Sequence, residues 1–301
     1  MKPYILLFSA FALLLAQPAR AQKSNQLKSL QGHTAQVYYS HGHEQRAQSI
    51  AQRIDKAMTY YQQLLGFKPT VTLLILSPAD WTKYSTVPVV YGMPHYADDK
   101  ILVMAAEDNP FWRSFIPPLE QLPQDLGQQI RAAYQDSKGN LSMQPFFDLL
   151  ALHELGHAFH FQAGLNMQRK WMGELFANTL LHTYVAENEP ESLPALTLFP
   201  RMVVSSGAKE YTYTSLQDVD QRYDEIGQQH PKNYGWYQSR WHMAAGTIYD
   251  TGGKLVGRKM WDALKSSQVN LTDEQLISLL ENDANKSVAD MMRNWDKETL
   301  K

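Results

Sequence analysis

The chain has 301 residues, of which 44% are hydrophobic, 11% aromatic and 19% charged, a globular profile rather than a disordered or fibrous one. Its 28 Lys and Arg against 30 Asp and Glu leave a net charge of -2 with no basic block, which argues against a nucleic-acid partner. Cysteine is absent, so disulfides, cysteine nucleophiles, iron–sulfur clusters and thiolate zinc sites are excluded, and any metal must be held by His and carboxylate groups.

Residues 1–21 read as a cleaved signal peptide: Lys2, an apolar run over 4–16, then Ala19-Arg20-Ala21 before Gln22. The apolar run falls short of the roughly 20 residues that span a bilayer. Cleavage would remove Lys2 and Arg20, taking the basic count from 28 to 26 against 30 acidic residues, a net charge of -4. No Cys follows the run to carry a lipid, and no later stretch reaches membrane-spanning length. The expectation is an exported protein, periplasmic or extracellular, with no stable membrane span.

Residues 22–32 are polar and read as a loose tail, and 35–39 have the aromatic and β-branched look of a strand. Residues 41–65 predict a helix, with Ile50, Ile54, Met58, Tyr61 and Leu65 at intervals of three and four and Gly66 as its stop. Two nearly continuous apolar runs, 71–76 and 100–105, predict strands, giving a small α/β unit over 22–140. Within it, 107–140 carry Pro110, Pro117, Pro118 and Pro123 and read as a long surface insertion with one helical stretch near 126–135. From 141 to 301 helical periodicity dominates, with breaks expected near Pro190, Pro194, Pro200, Pro231 and Gly252-Gly253. The predicted fold class is α+β, a small N-terminal α/β part followed by a mainly helical part.

The chemistry lies between Pro145, suited to a first helical turn, and Gly164, suited to a C-terminal cap. The helix between them carries His153 and His157 one turn apart, so both imidazoles reach one tetrahedral metal, with Glu154 beside them. This is the His-Glu-x-x-His zinc pattern. Its flanks, Leu149 to Leu152, Leu155, Gly156, Ala158 and Phe159, are uncharged, as befits a helix buried under a cleft.

A catalytic zinc needs a third protein ligand and an open fourth position. A metzincin-type extension would need glycine at 160 and histidine at 163, where the chain has His160 and Ala163. His160 lies on nearly the same face as His157 and is a second candidate, better suited to packing behind a ligand. The favoured third ligand is Glu174, on a second helix predicted over 170–185. His157 and Glu174 lie roughly 10 and 6 Å from the intervening turn at 1.5 Å per residue, so antiparallel helices bring them to one level. Asn178, one turn after Glu174, could accept the outward N–H of a ligand imidazole and fix its tautomer.

His153-Glu154-x-x-His157, sixteen residues, then Glu174-x-x-x-Asn178 resembles the gluzincin zinc peptidases over about residues 145–185. It departs from them in having Asn178 where Asp is usual and in a slightly short spacer; neither removes a ligand. The resemblance implies a zincin-like fold with a cleft between the two parts and one Zn2+ per chain. It also implies that Glu154 acts as general base on a peptide or protein substrate. It further implies a Tyr or His oxyanion donor some sixty to seventy residues after Glu174, which here reaches Tyr234, Tyr237 and His242 in that order of preference. The Gly-x-Met-Glu-Asn strand of the family's aminopeptidases has its nearest counterpart in Tyr91-Gly92-Met93-Pro94-His95-Tyr96, which lacks the Glu, so an endopeptidase is favoured. The strand there could still line the cleft and pair with substrate backbone as an edge strand.

The leading expectation is therefore an exported zinc metallopeptidase. The alternative is a non-catalytic surface or periplasmic binding protein that keeps the scaffold. Glu154 argues for the enzyme, because a structural zinc has no use for it, whereas closure of the metal shell by His160 would argue for the alternative. No feature of the sequence specifies an oligomeric state.

Overall fold

The computed structural model describes residues 27–299; the predicted signal peptide lies outside the described residues. The N-terminal unit holds a five-stranded sheet whose strands β1 (Lys28–Leu30), β2 (Gln36–Tyr39), β3 (Thr72–Leu76), β4 (His95–Tyr96) and β5 (Ile101–Ala105) lie in the order β1-β2-β3-β5-β4. β1 (Lys28–Leu30) pairs antiparallel with β2 (Gln36–Tyr39), so residues read as a loose tail are an edge strand. Chain reversal at Gly42 leads into α1 (Glu44–Leu65), whose Ile50, Ile54, Met58, Tyr61 and Leu65 are buried and which ends at Gly66 with φ +69°. β3 (Thr72–Leu76) returns parallel to β2, and α2 (Pro78–Tyr84) is capped by the Ser77 side chain. The short β4 (His95–Tyr96) turns back antiparallel onto β5 (Ile101–Ala105), which is parallel to β3. The strand at 101–105 is therefore internal, and the edge on its side of the sheet belongs to β4, too short to leave a periodic signal.

The predicted insertion is only partly a surface feature. Asn109 caps α3 (Pro110–Arg113) by accepting from Trp112 N, and that capped turn buries the Trp112 ring completely. α4 (Gln124–Tyr134) likewise buries Ile130 and Tyr134.

Two long helices follow, α5 (Gln144–Gln162) and α6 (Lys170–Asn188), packed against each other. Both are apolar around most of their circumference, the pattern of helices enclosed by protein. Arg46 of α1 grips Asp148 of α5 with both terminal guanidinium nitrogens, fixing the N-terminal part of α5 against the N-terminal unit. Gly156 on α5 sits where the pair is closest: a Cβ there would lie 3.1 Å from Ala177 Cα and 3.2 Å from Ala177 Cβ. Gly156→Ala gains about 1 kcal/mol of helix propensity but overpacks against backbone that cannot rotate away, at about 1–3 kcal/mol. The expected result is a lower thermal midpoint, and an unchanged or raised midpoint would show that the helices can part freely.

α7 (Leu193–Ser205) contains Pro194 in its first turn and Pro200 in its interior, so the break expected at Pro200 does not occur; its ring is buried in the core. α8 (Leu216–Gln221) opens with a capping box between Ser215 and Asp218, and α9 (Tyr223–Gln229) precedes α10 (Pro231–Gly252), which packs against both α6 and α7. α11 (Val256–Ser266), α12 (Asp273–Leu279), one π-helical turn and α13 (Lys286–Thr299) complete the described chain. Trp295 of α13 stacks on Tyr237 of α10 at 5.9 Å, donates to Thr214 O at 2.8 Å and lies under the Arg240 guanidinium at 3.6 Å. The architecture is α+β, with one hydrophobic core running from Leu27 to Trp295. No helix among the described residues is long and apolar enough to cross a membrane.

His182 on α6 is buried with its Nδ1 lacking a hydrogen-bond partner. Burial lowers its pKa from 6.5, with Asp250 opposing, so the folded chain keeps the ring neutral. The unfolded chain takes up the proton first as pH falls through about 6.5, so this contribution to stability is complete above that pH and lost below it. His182→Phe should then show a shallower fall in thermal midpoint from pH 7.5 to 5.5 than the parent, both with chelator; parallel falls would refute this.

Candidate metal centre

α5 closes on Gly164, which takes φ +66°, with Gly164 N bonded to Phe161 O and Leu165 N to His160 O, the Schellman arrangement that only a residue tolerant of positive φ completes well. The chain then reverses into α6. This hairpin sets His153 and His157 of α5 against Glu174 of α6, all three buried. His153 Nε2 lies 3.0 Å from Glu174 Oε2 and 3.0 Å from His157 Nε2, and His157 Nε2 lies 3.3 Å from Glu174 Oε2. These separations approximate the edges of a tetrahedron with metal–ligand bonds of about 2.0 Å, whose edge is about 3.3 Å. The group can hold a metal ion.

Each imidazole is oriented from behind. His153 Nδ1 meets Asn178 Oδ1 at 3.0 Å, as the sequence predicts; an amide oxygen only accepts, so Nδ1 carries the proton and Nε2 the lone pair. His157 Nδ1 meets His160 Nε2 at 2.9 Å, so His160 stands on the far edge of the His157 ring and is not one of the converging ligands. Burial, reinforced by His157, lowers the His160 pKa well below the usual imidazole range, which suits a neutral acceptor. With both outer nitrogens engaged, lone pairs and a carboxylate converge on one point, and a positive charge is needed there. Burial alone would raise Glu174, but when that positive charge is a proton, the charge and hydrogen bonds the two imidazoles direct at Glu174 outweigh burial and hold its carboxyl well below the usual carboxylate range.

Glu154 is half-buried beside this group, and burial pushes its carboxyl up to about 8, with His153 opposing and Glu174 adding. Phe161, 58% exposed, stacks on the His157 ring at 5.6 Å and marks the solvent side. Tyr96, on the edge strand, has a buried hydroxyl without a hydrogen-bond partner, and its phenol is raised first by burial and then by the Glu154 charge.

Of the three predicted oxyanion donors, the structure brings one into the network. Tyr234 Oη lies 3.0 Å from Tyr223 Oη, which itself donates to Glu174 Oε1. Tyr237 points elsewhere: three positions on along α10 it shares the face of Trp241, donates to Ser215 O at 2.8 Å and stacks between Trp241 and Trp295. His242 packs between His153 and Phe146, at ring separations of 6.2 and 5.7 Å, with burial lowering it to about 3. Two residues of the site escape sequence reasoning. Gln238, which donates to Glu174 Oε2 at 2.7 Å, stands one helical turn after Tyr234 and could be found by that spacing. Tyr223 enters from α9, and no spacing relates it to the motif.

Tyr237→Phe is expected to cost about 1 kcal/mol of stability for the hydroxyl bond to Ser215 and to leave metal binding unchanged. Denaturant midpoint and metal content check this; lost metal at unchanged stability would place Tyr237 in the site after all.

No protein-family model matches the chain, and no curated protein matches it in sequence.

Proposed function

We propose that the protein is an exported zinc-dependent peptidase of the gluzincin type, with His153, His157 and Glu174 as the metal ligands. The observation that carries this reading is the convergence of three lone-pair-bearing atoms at 3.0 to 3.3 Å, with His160 engaged behind His157 rather than closing the shell. Two imidazoles and one carboxylate, with a fourth position open, form a donor set characteristic of catalytic zinc. Zinc held there would polarise a substrate carbonyl and acidify water.

The chain's own groups supply the rest. Glu154, next to His153 in sequence and not among the ligands, would take a proton from the attacking water and deliver it to the leaving amine once the charge of the ion offsets the burial that raises its carboxyl. The phenols of Tyr223 and Tyr234, both raised well above 10 by burial and by Glu174, stay protonated; Tyr223 spends its proton on Glu174, whereas Tyr234, by turning its hydroxyl from Tyr223, would offer a hydrogen bond to charge developing on the carbonyl oxygen. Restriction to peptide bonds rests on the motif's resemblance, and the lack of an amine-binding Glu in 91–96 favours internal bonds.

The test is zinc content of the purified protein by elemental analysis beside turnover of a mixed peptide library. About one zinc per chain with chelator-sensitive cleavage supports the peptidase. Zinc without cleavage would favour a binding protein that keeps the scaffold, and no zinc would remove the metal-centre reading altogether.

A further inference from the structure

Gln238 sits where the polar groups of the site meet. Its Nε2 donates to Glu174 Oε2 at 2.7 Å and to Tyr234 Oη at 2.8 Å, while its Oε1 accepts from Asn178 Nδ2 at 3.3 Å. Tyr223 holds the other carboxylate oxygen, Glu174 Oε1.

The directions of these bonds are interlocked. An ionised Glu174 only accepts, so Gln238 turns its amide nitrogen toward it and Tyr223 commits its single proton to it. Tyr234 then donates to Tyr223 Oη, 3.0 Å away, which leaves Tyr234 Oη as an acceptor for Gln238. Only Oε1 of Gln238 remains, and Asn178 must meet it with its own amide nitrogen. That in turn aims Asn178 Oδ1 at His153 Nδ1, 3.0 Å away, and leaves the His153 lone pair on Nε2, facing Glu174.

We propose that Gln238 is the positioning residue of this centre and that Gln238 and Asn178 form a matched amide pair, which fixes the ligating oxygen of Glu174 and the tautomer of His153 together. The pairing has a counter-intuitive consequence. On charge alone, Asn178→Asp should make His153 a better ligand. Here it sets two acceptors face to face across the 3.3 Å contact. Turning the Gln238 amide over relieves that clash only by aiming Oε1 at the Glu174 carboxylate. A proton on the new carboxyl also relieves it, but removes the charge.

The experiment is a double-mutant cycle of Asn178→Asp and Gln238→Met in the full chain, read by zinc affinity in chelator competition and by thermal midpoint of the zinc-free proteins. The zinc measurement rests on the metal-centre reading; the zinc-free midpoints do not. Gln238→Met is expected to weaken zinc binding by roughly 10- to 100-fold and to alter the visible spectrum of the cobalt-substituted protein as Glu174 rotates. Asn178→Asp should weaken zinc binding and lower the midpoint when Gln238 is present, and do neither in the Gln238→Met background. Additive effects in both measurements, or zinc binding tightened equally in both backgrounds, would overturn the pairing. If the parent binds no zinc, the metal centre is refuted and the zinc-free cycle alone decides the pairing. Should Asn178→Asp not fold, Asn178→Ala replaces it: coupling with Gln238→Met supports the pair, and additivity overturns it.

Discussion

Glu154→Gln is expected to abolish peptide hydrolysis while leaving the metal in place. The substitution preserves shape and removes only the capacity to take a proton. A positioned general base contributes about 100- to 10,000-fold, equivalent to about 3–5 kcal/mol of barrier. Glu154 is not among the three converging ligands, so zinc content should stay near one per chain. Stability should not suffer, because burial already disfavours the carboxylate that the amide replaces. Turnover of the peptide library and elemental analysis of the same preparation check this. Retained turnover would remove Glu154 from the mechanism, whereas zinc lost together with turnover would mean that Glu154 shapes the metal site itself.

Glu174→Ala should have the opposite signature, losing the metal as well as the activity. Zinc at 1,000 times its dissociation constant stabilises a folded protein by about 4 kcal/mol, roughly 8 °C for a chain of this length. The parent should show such a rise on zinc addition and the variant none. Without zinc the variant should also be less stable than the parent, because the half-buried Gln238 Nε2 and Tyr223 Oη lose their carboxylate acceptor, and an unmade hydrogen bond of this kind costs about 1 kcal/mol. A variant that still binds zinc with parental affinity would show that another group closes the triangle.

The parts of the site legible in the sequence are those that a single hairpin of helices brings together. His153 and His157 share one helical face, Gly164 ends that helix, and the level of Glu174 follows from counting residues on either side of the turn. Asn178 follows by the same count. Longer strands and α1 are legible because their apolar periods persist for five residues or more. Three-residue β1 and two-residue β4 are not, since pairing with β2 and β5 defines them rather than any period of their own. The place of His160 is open in the sequence for a similar reason, because spacing puts its ring near His157 but does not say which edge of that ring it meets. Tyr223 lies on a separate short helix, and only tertiary packing of α9 against α10 delivers its hydroxyl to Glu174.

The clamp of Trp295 on α10 gives the centre an order in time. The helix bearing Tyr234 and Gln238 is held through Tyr237 and Arg240 by a residue about 140 positions later than His153 and His157. At ribosomal speeds of about 5–20 residues per second, that interval is on the order of ten seconds. The three residues able to hold a metal are thus synthesised well before the residue that secures the tyrosine and amide side of the network. A chain caught midway through synthesis carries His153, His157 and Glu174 but not yet Trp295, so the contacts that complete the site wait until α13 has been made and docked.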